Sequence, residues 1–270
     1  MALDGSVDMG TDDNMAGKFG AGILARDDGA SIAYHRLDGN GPGVVFLHGF
    51  HSDMEGGKAL ALEAWCKAEG RAFLRSDLFG HGTSSGRVED GSIGRWADDA
   101  TIVLDELTTG PQILVGSSLG GWIALLTALR RRNRVAGLVG IAAAPDFTED
   151  LMWTEFTPEQ RHEMLRSGQV VMENCYEPEK PWTIPRLLIE DGRNHLLLRD
   201  AINLACPVRL IHGQKDCDVP WQTALRIADC LATTDVEVTL VKDGDHRLSR
   251  DEDLARLVRV VAALAARVAP

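Results

Sequence analysis

The stretch Leu114–Trp122, LVGSSLGGW, places two adjacent serines among glycines. The motif Gly-x-Ser-x-Gly fits it in one register only, with Gly116 and Gly120 on either side of Ser118. An apolar run, QILV, precedes the motif and a helical run, GGWIALLTAL, follows it, which predicts a strand, a sharp turn and a helix. Such a turn holds its central residue in a strained conformation, and the positions two residues away must be small because strand and helix approach closely. Ser118 is therefore the candidate nucleophile, at a helix N-terminus that favours developing negative charge; a turn of small residues without chemistry is the alternative.

A serine hydroxyl is a weak nucleophile unless a base takes its proton. The chain order typical of this turn is serine, then acid, then histidine. The run LIHGQKDCDVP (210–220) puts Asp216 just after a predicted strand, and KDGDHRLS (242–249) puts His246 after the next one. We predict that His246 is the general base and then the general acid, and that Asp216 orients its imidazole and stabilises the imidazolium. Asp218 is the alternative acid.

Two backbone amides are expected to stabilise the oxyanion. One belongs to the residue after the nucleophile, Leu119, and the other to a loop after an early strand. The run FLHGFHSD (46–53) fits that loop, and the amide of Phe50 is the candidate within it. Each well-placed donor is worth roughly 3 kcal/mol in the transition state.

Three further side chains are candidates for substrate binding, and each has a structural alternative. His51 lies in the same predicted loop, directly after Phe50, but a solvent-exposed loop histidine has the same pattern. Trp153 is one of several aromatic residues that indicate an apolar acyl or aryl site, although packing onto the sheet accounts for them equally well. His195, in GRNHLLL, is either near substrate or a packing or surface histidine. In the Gly-rich loop SDLFGHGTSS (76–85) we interpret Asp77 and His81 as structural, because a P-loop lysine and a dinucleotide fingerprint are both lacking.

Outward from these motifs, apolar strands alternate with amphipathic helices, which predicts a mainly parallel sheet covered by helices on both faces. The alternation stops over 146–203, where polar residues mix with aromatic residues and prolines. We predict that this segment is an inserted cap of short helices (the cap) and that residues 19–145 and 204–270 form the core. Residues 1–18 are rich in Gly and Asp and are predicted to be a disordered tail.

Composition excludes several classes of function. The 270 residues carry a net charge of −12, which disfavours nucleic acid and anionic membrane surfaces as partners. The five cysteines are scattered, without metal-ligand spacing, and predict reduced thiols and no metal site.

No apolar run reaches membrane-spanning length, and the first residues resemble neither a secretory signal nor a transit peptide. From these features we predict a cytoplasmic protein.

Taken together, HGF, DLFGHGTSS, GSSLGG, HGQKDCDVP and GDHR stand in the order found in the α/β-hydrolase superfamily, which the chain resembles over about residues 20–268. The resemblance implies an eight-stranded sheet, no cofactor, and a triad of Ser118, Asp216 and His246. The longer runs GPQILVGSSLGGW, CPVRLIHGQKDCDVPW and DGDHRLS are similar to a mitochondrial branch that hydrolyses palmitoyl thioesters on proteins and acyl-glucuronides. That similarity implies an acyl ester or thioester as substrate, either a small molecule or an acylated protein.

Other functions share these motifs. A serine at the turn excludes the dehalogenases and epoxide hydrolases of the same fold, which use an aspartate there. A serine-dependent C–C bond hydrolase or a cofactor-free haloperoxidase would share the triad. From a different class, a ligand-binding protein with little turnover can also use this fold.

Overall fold

Ten strands are present in the computed structural model, which describes residues 19–173, 178–179 and 181–269. Eight of them form one sheet in the order β1-β2-β4-β3-β5-β6-β9-β10, and β7 pairs with β8 in a separate two-stranded sheet. The strands are β1 (Phe19–Ala25), β2 (Ser31–Leu37), β3 (Asn40–Leu47), β4 (Arg71–Ser76), β5 (Gln112–Ser117), β6 (Val135–Ile141), β7 (Gln169–Met172), β8 (Trp182–Pro185), β9 (Val208–Gly213) and β10 (Val236–Val241).

The large sheet is mainly parallel. Only β2 runs antiparallel to its neighbours β1 and β4, and every other pairing is parallel. The central strand β5 is buried along its whole length, as its apolar sequence predicts for a sheet covered on both sides. The predicted fold class, a mainly parallel eight-stranded sheet, is confirmed.

Helices cover both faces of this sheet. Alternate residues of β5 enter two hydrophobic clusters: Leu114 packs with α2, α3 and α6, whereas Ile113 and Val115 pack with α1 and α7. The largest buried side chains of the first cluster are Trp96 and Trp122. Within the described residues the α-helices are α1 (Gly57–Ala68), α2 (Ile93–Leu107), α3 (Leu119–Arg130), α4 (Pro158–Ser167), α5 (Arg186–Gly192), α6 (Gln222–Cys230) and α7 (Asp251–Arg267).

The cap differs from the expected set of short helices. It contains α4 and α5 and a short π-helix, Thr148–Trp153, but also the antiparallel pair β7 and β8. Its buried apolar side chains join the first cluster and so continue the core on the α2 and α3 side; they include Phe156, Met164, Ile184 and Leu188.

Three further points concern strand β1, the residues outside the described ranges, and the hydropathy of the helices. Strand β1, which pairs with β2 along seven residues, was not predicted. The predicted disordered tail, residues 1–18, lies outside the described residues, as does Cys175. No helix among the described residues combines the length and the hydropathy required to cross a bilayer.

Candidate active site

Ser118 lies at the tight connection between β5 and α3. Its backbone has φ 53° and ψ −117°, and it is held there because its amide donates to the Ile141 carbonyl (2.9 Å) and its carbonyl accepts from the Gly121 amide (2.9 Å). A Cβ atom at Gly116 would overlap the carbonyl group of Gly120, and a Cβ at Gly120 would overlap the backbone at the end of β3. The glycines are therefore required by the close approach of strand and helix.

Three side chains from the carboxyl edge of the sheet form one hydrogen-bonded chain. The Oγ of Ser118 lies 3.0 Å from Nε2 of His246, and Nδ1 of the same ring lies 2.8 Å from Oδ2 of Asp216. A ring with its hydrogen on Nδ1 donates to the carboxylate and leaves Nε2 free to accept the hydroxyl hydrogen. The three residues predicted from sequence order are thus joined in one chain, in which His246 contacts both Ser118 and Asp216.

The side chain of Asp216 is completely buried and accepts several hydrogen bonds. Its Oδ1 accepts from the amides of Asp218 (2.9 Å) and Val219 (2.8 Å), and its Oδ2 contacts His246 and also His212 (3.0 Å). Burial disfavours the charged carboxylate, but the hydrogen bonds from His212 and His246 outweigh it and hold the pKa of Asp216 well below its usual value. The carboxylate is therefore ionised at neutral pH.

The geometry distinguishes Asp216 from the alternative acid, Asp218. Ligand atoms of both carboxylates and of His246 lie within 4.8 Å of one another, but Nδ1 of His246 bonds to Asp216. Asp218 is exposed and contributes its backbone amide to the carboxylate of Asp216. Among the described residues, Asp216, Asp218 and His246 form the group whose ligand atoms are close enough together to hold a metal ion. Two of the three, Asp216 and His246, belong to the hydrogen-bonded chain.

The loop that carries His246 is braced by its neighbours. Oδ1 of Asp245 accepts from the Leu248 amide (2.9 Å), and the Lys58 ammonium, from the first turn of α1, donates to the Arg247 carbonyl. Asp243 pairs with Arg250 (2.7 Å). These contacts lie within the loop and its flanks, so both aspartates shape the loop.

The two amides expected to bind an oxyanion lie on adjacent segments. Leu119 is the first residue of α3, so its amide has no acceptor within the helix. Phe50 follows β3, and the loop there is close to the nucleophile turn, since a Cβ at Gly49 would lie 3.4 Å from the Cβ of Ser118.

Buried histidines and Asp77 hold this loop in place. His48 donates from Nδ1 to the Gly49 carbonyl (2.8 Å) and accepts at Nε2 from the Leu78 amide (3.0 Å). Asp77 accepts from the amides of Met54 and Thr83, both at 2.8 Å. These are structural bonds between the loops after β3 and β4.

His81 belongs to the same set. Its Nε2 accepts from the His51 amide (3.3 Å), and its Nδ1 donates to the Phe79 carbonyl (3.0 Å). Burial, followed by the proximity of His48, lowers the pKa of His81 to about 3. The ring is therefore neutral, in keeping with a structural role.

The first two predicted substrate residues, His51 and Trp153, occupy different environments. The exposed His51 ring stacks on Trp182 of the cap, with centroids 5.3 Å apart and planes 8° apart. The guanidinium groups of Arg161 and Arg193 lie over the Trp153 ring, 5.4 and 4.7 Å from its centroid.

His195 lies away from the hydrogen-bonded chain. Its imidazole is 3.6 Å from the Asp191 carboxylate and packs against Gly94 at the start of α2. Among its described contacts none joins it to Ser118, Asp216 or His246. The substrate roles of His51, Trp153 and His195 stay predictions.

Two residues at the site were not predicted. His212 touches the buried carboxylate, and a signal existed, because it stands at the end of a predicted strand four residues before Asp216. Trp182 contacts both His51 and Phe50, the latter at 6.2 Å between ring centroids. It stands between two prolines in PWTIP (181–185), a run too short to show a helical or strand period.

Comparisons with known proteins show the family to which this fold belongs. A profile described as the alpha/beta hydrolase fold matches residues 42–187. The mitochondrial palmitoyl-protein thioesterase ABHD10 of cattle (Bos taurus) is 41% identical over 239 residues, covering 88% of this chain and 78% of the relative. The human protein of that name is 40% identical with the same coverage. The solved structure of alpha/beta hydrolase domain-containing protein 10 from mouse matches with a TM-score of 0.87 and 39% identity, covering 93% of this chain and all of that one.

These relatives overturn the predicted cytoplasmic location. The proteins at about 40% identity are named as mitochondrial, so the prediction is wrong. It rested on reduced cysteines, an acidic composition and the first residues of the chain. Reduced thiols and negative charge are compatible with any reducing compartment and do not discriminate between two of them.

Proposed function

The chain belongs to the α/β-hydrolase fold family, and from that premise we propose that it is a serine hydrolase that cleaves carboxylic esters or thioesters through an acyl-enzyme. The observation that carries the proposal is the continuous hydrogen-bonded chain from Ser118 through His246 to Asp216. It supplies a nucleophile, a base within 3.0 Å of the hydroxyl, and a buried anion to stabilise the imidazolium.

In the first half-reaction the Ser118 oxygen attacks the acyl carbon while its proton moves to Nε2 of His246. The carbonyl π electrons move to the oxygen, and the resulting oxyanion receives hydrogen bonds from the amides of Leu119 and Phe50. The imidazolium then gives its proton to the departing alcohol or thiol as the bond to the acyl carbon breaks. An acyl ester of Ser118 and one free alcohol or thiol remain.

In the second half-reaction water replaces the serine as nucleophile. His246 takes a proton from water, hydroxide adds to the acyl carbon, and the same proton returns to the Ser118 oxygen as the acid is released. Asp216 keeps its negative charge throughout, since it only stabilises the positive charge of the ring.

The proposed substrate is a thioester or an ester of an acyl chain, carried by a small molecule or by a protein. Its support is the identity of about 40% to proteins named palmitoyl-protein thioesterases over most of the chain. We also propose that the cap, residues 146–203, covers the acyl site, because Trp182 of the cap stacks on His51 of the loop next to Ser118. No cofactor enters any of these steps.

The adjacent serines provide a matched test of this proposal. Ser118→Ala removes the nucleophile and is expected to lower kcat/KM for p-nitrophenyl butyrate and for a palmitoyl thioester by about 10⁴-fold or more. Ser117→Ala removes the same atom from the neighbouring buried position on β5 and is expected to retain wild-type turnover. Thermal unfolding of both variants checks that each is folded.

The same pair identifies a wrong proposal. Turnover of both substrates by folded Ser118→Ala at the wild-type rate would exclude an acyl-enzyme on this residue. Labelling with a fluorophosphonate provides a second readout, since wild type and Ser117→Ala are expected to gain the label and Ser118→Ala is not. A panel of esters, thioesters and acyl-glucuronides, compared by kcat/KM, then ranks the leaving groups.

A further inference from the structure

His212 is a buried titratable residue beside the active site that the proposed reaction does not use. It lies at the carboxyl end of β9 and is only 1% exposed. Its Nε2 is 3.0 Å from Oδ2 of Asp216 and 3.0 Å from the carbonyl oxygen of Val219. Both neighbours are acceptors, so Nε2 must carry a hydrogen and the ring is the donor in both contacts.

The hydrogen bonds of His212 complete a ring of hydrogen bonds that joins His212, Asp216 and Val219. The Val219 amide donates to Oδ1 of Asp216, while the Val219 carbonyl accepts from His212, which in turn donates to Oδ2. The carboxylate is thus held at both oxygens by groups on one short segment. Rotation about its χ2 angle would break bonds on both sides and leave buried polar groups without partners, which is unfavourable.

We propose that His212 is a positioning residue of the hydrolase, one that keeps Oδ2 of Asp216 aligned with Nδ1 of His246. This inference rests on the proposed function. The ionisable groups that face the carboxylate are His212, His246 and Asp218. His212 and His246 donate to the same oxygen, Oδ2 of Asp216. The hydrogen bond from His212 therefore lowers the basicity of Oδ2 and weakens its attraction for the proton on Nδ1 of His246.

Replacement of the donor has two expected effects. His212→Leu removes it, and the loosened carboxylate should lower kcat by between about 10- and 100-fold with little change in KM. With one donor fewer, Oδ2 becomes more basic and stabilises the His246 imidazolium more strongly, so the acid limb of the kcat/KM profile should move to higher pH. A residue that only fills space would leave that limb unchanged.

His212→Gln is the conservative variant, because its side-chain amide has an N–H donor at a similar reach. It is expected to recover most of kcat and to return the acid limb toward wild type. His162→Leu, at an exposed position of α4, is the matched control for loss of a histidine and should behave as wild type. If His212→Leu fails to fold, the shorter amide of His212→Asn takes its place, since it cannot span the distance to Asp216.

A folded donor-free variant with wild-type kcat and an unmoved acid limb would overturn the inference. Ser118→Ala, measured in the same assay, separates this failure from failure of the proposed function. An inactive Ser118→Ala beside a wild-type His212→Leu contradicts only the role of His212. An active Ser118→Ala contradicts the hydrolase mechanism itself.

Discussion

Ser118 has a backbone conformation that L-residues rarely adopt, and its neighbours are what make that conformation possible. The turn closes because α3 starts against the end of β3, with Gly120 facing the Leu47 carbonyl at a distance that leaves no room for a side chain. The strained backbone is that of Ser118, but strand β5, helix α3 and the loop that carries Phe50 all pack closely around it. Nucleophile geometry and stability are therefore coupled at this one position.

Gly120→Ala tests this coupling. The added methyl would overlap the backbone of β3, so we expect the free energy of unfolding to fall by about 3 kcal/mol and ester turnover to fall with it. Gly57→Ala, at the start of α1, is the matched control, because its methyl would meet only Leu254 at an ordinary 3.8 Å. Urea denaturation with a parallel esterase assay measures both; equal stability of the two variants would show that the turn can relax.

The residue types and their order predicted the hydrogen-bonded chain of Ser118, His246 and Asp216, but not His212, which also contacts Asp216. The register of the serine motif is unique, and the strand ends put Asp216 and His246 at one edge of the sheet. The partner of Asp216 depends on where the His212 ring points, which is decided by the sheet register and not by any local pattern. Side chains whose contacts come from distant segments, such as Trp182 on His51, are equally invisible to a local pattern.

At the scale of elements, the prediction agrees with the structure where an element has a well-buried face and fails where the element is exposed or very short. The amphipathic run IGRWADDATIVLDEL (93–107) predicts a helix, and α2 has those bounds. It begins after Ser92, whose side chain accepts from the Arg95 amide. Strand β1 was missed because it is an edge strand, rich in glycine, with Ile23 largely exposed. Strands β7 and β8 have four residues each and pair with one another, and so short a strand carries no recognisable period.

The cap is fastened at both ends by one buried carboxylate. Asp146, at its first residue, accepts from the amides of Leu197 (2.7 Å) and Leu198 (2.9 Å), near its last residues. Arg199 lies 3.2 Å from the same carboxylate, and burial raises the pKa of Asp146. The segment that leaves the core after β6 and the segment that returns before β9 are therefore joined directly.

Asp146→Asn should loosen this joint without changing the shape of the side chain. Its amide group would face an N–H donor, so we expect a loss of about 3 kcal/mol in the free energy of unfolding. Hydrogen exchange at Leu197 and Leu198 should accelerate. Asp150→Asn is the control: that carboxylate pairs with Arg199 and Arg226 at the surface, and its loss should cost less than about 1 kcal/mol. Equal exchange rates in the two variants would contradict a role for Asp146 in holding the cap.

At the scale of the whole molecule, stability depends on pH through groups whose pKa changes on folding. Burial lowers the pKa of His48 and His81, so the unfolded chain takes up protons below pH 6.5 that the folded chain refuses, and stability falls as the pH falls. Burial raises the pKa of Asp99 to about 6, which acts in the opposite direction between pH 6 and its unfolded value of 3.8. The lowered pKa of Asp216 contributes stability above 3.8 that is lost only below it.

His81→Asn separates one of these contributions from those of Asp99 and Asp216, which are common to both proteins and cancel in the difference. With a folded pKa of about 3, His81 should cost the wild type about 1.4 kcal/mol of stability per pH unit below pH 6.5, or about 2 kcal/mol at pH 5. The stability of wild type relative to the variant should therefore decline by that amount between pH 7 and pH 5 in urea titrations. His162→Asn, which removes an exposed imidazole, is expected to follow the wild-type curve. A difference between wild type and His81→Asn that does not vary with pH would mean that the folded protein accepts a proton on this ring, and the loop beneath the active site would then be open to water.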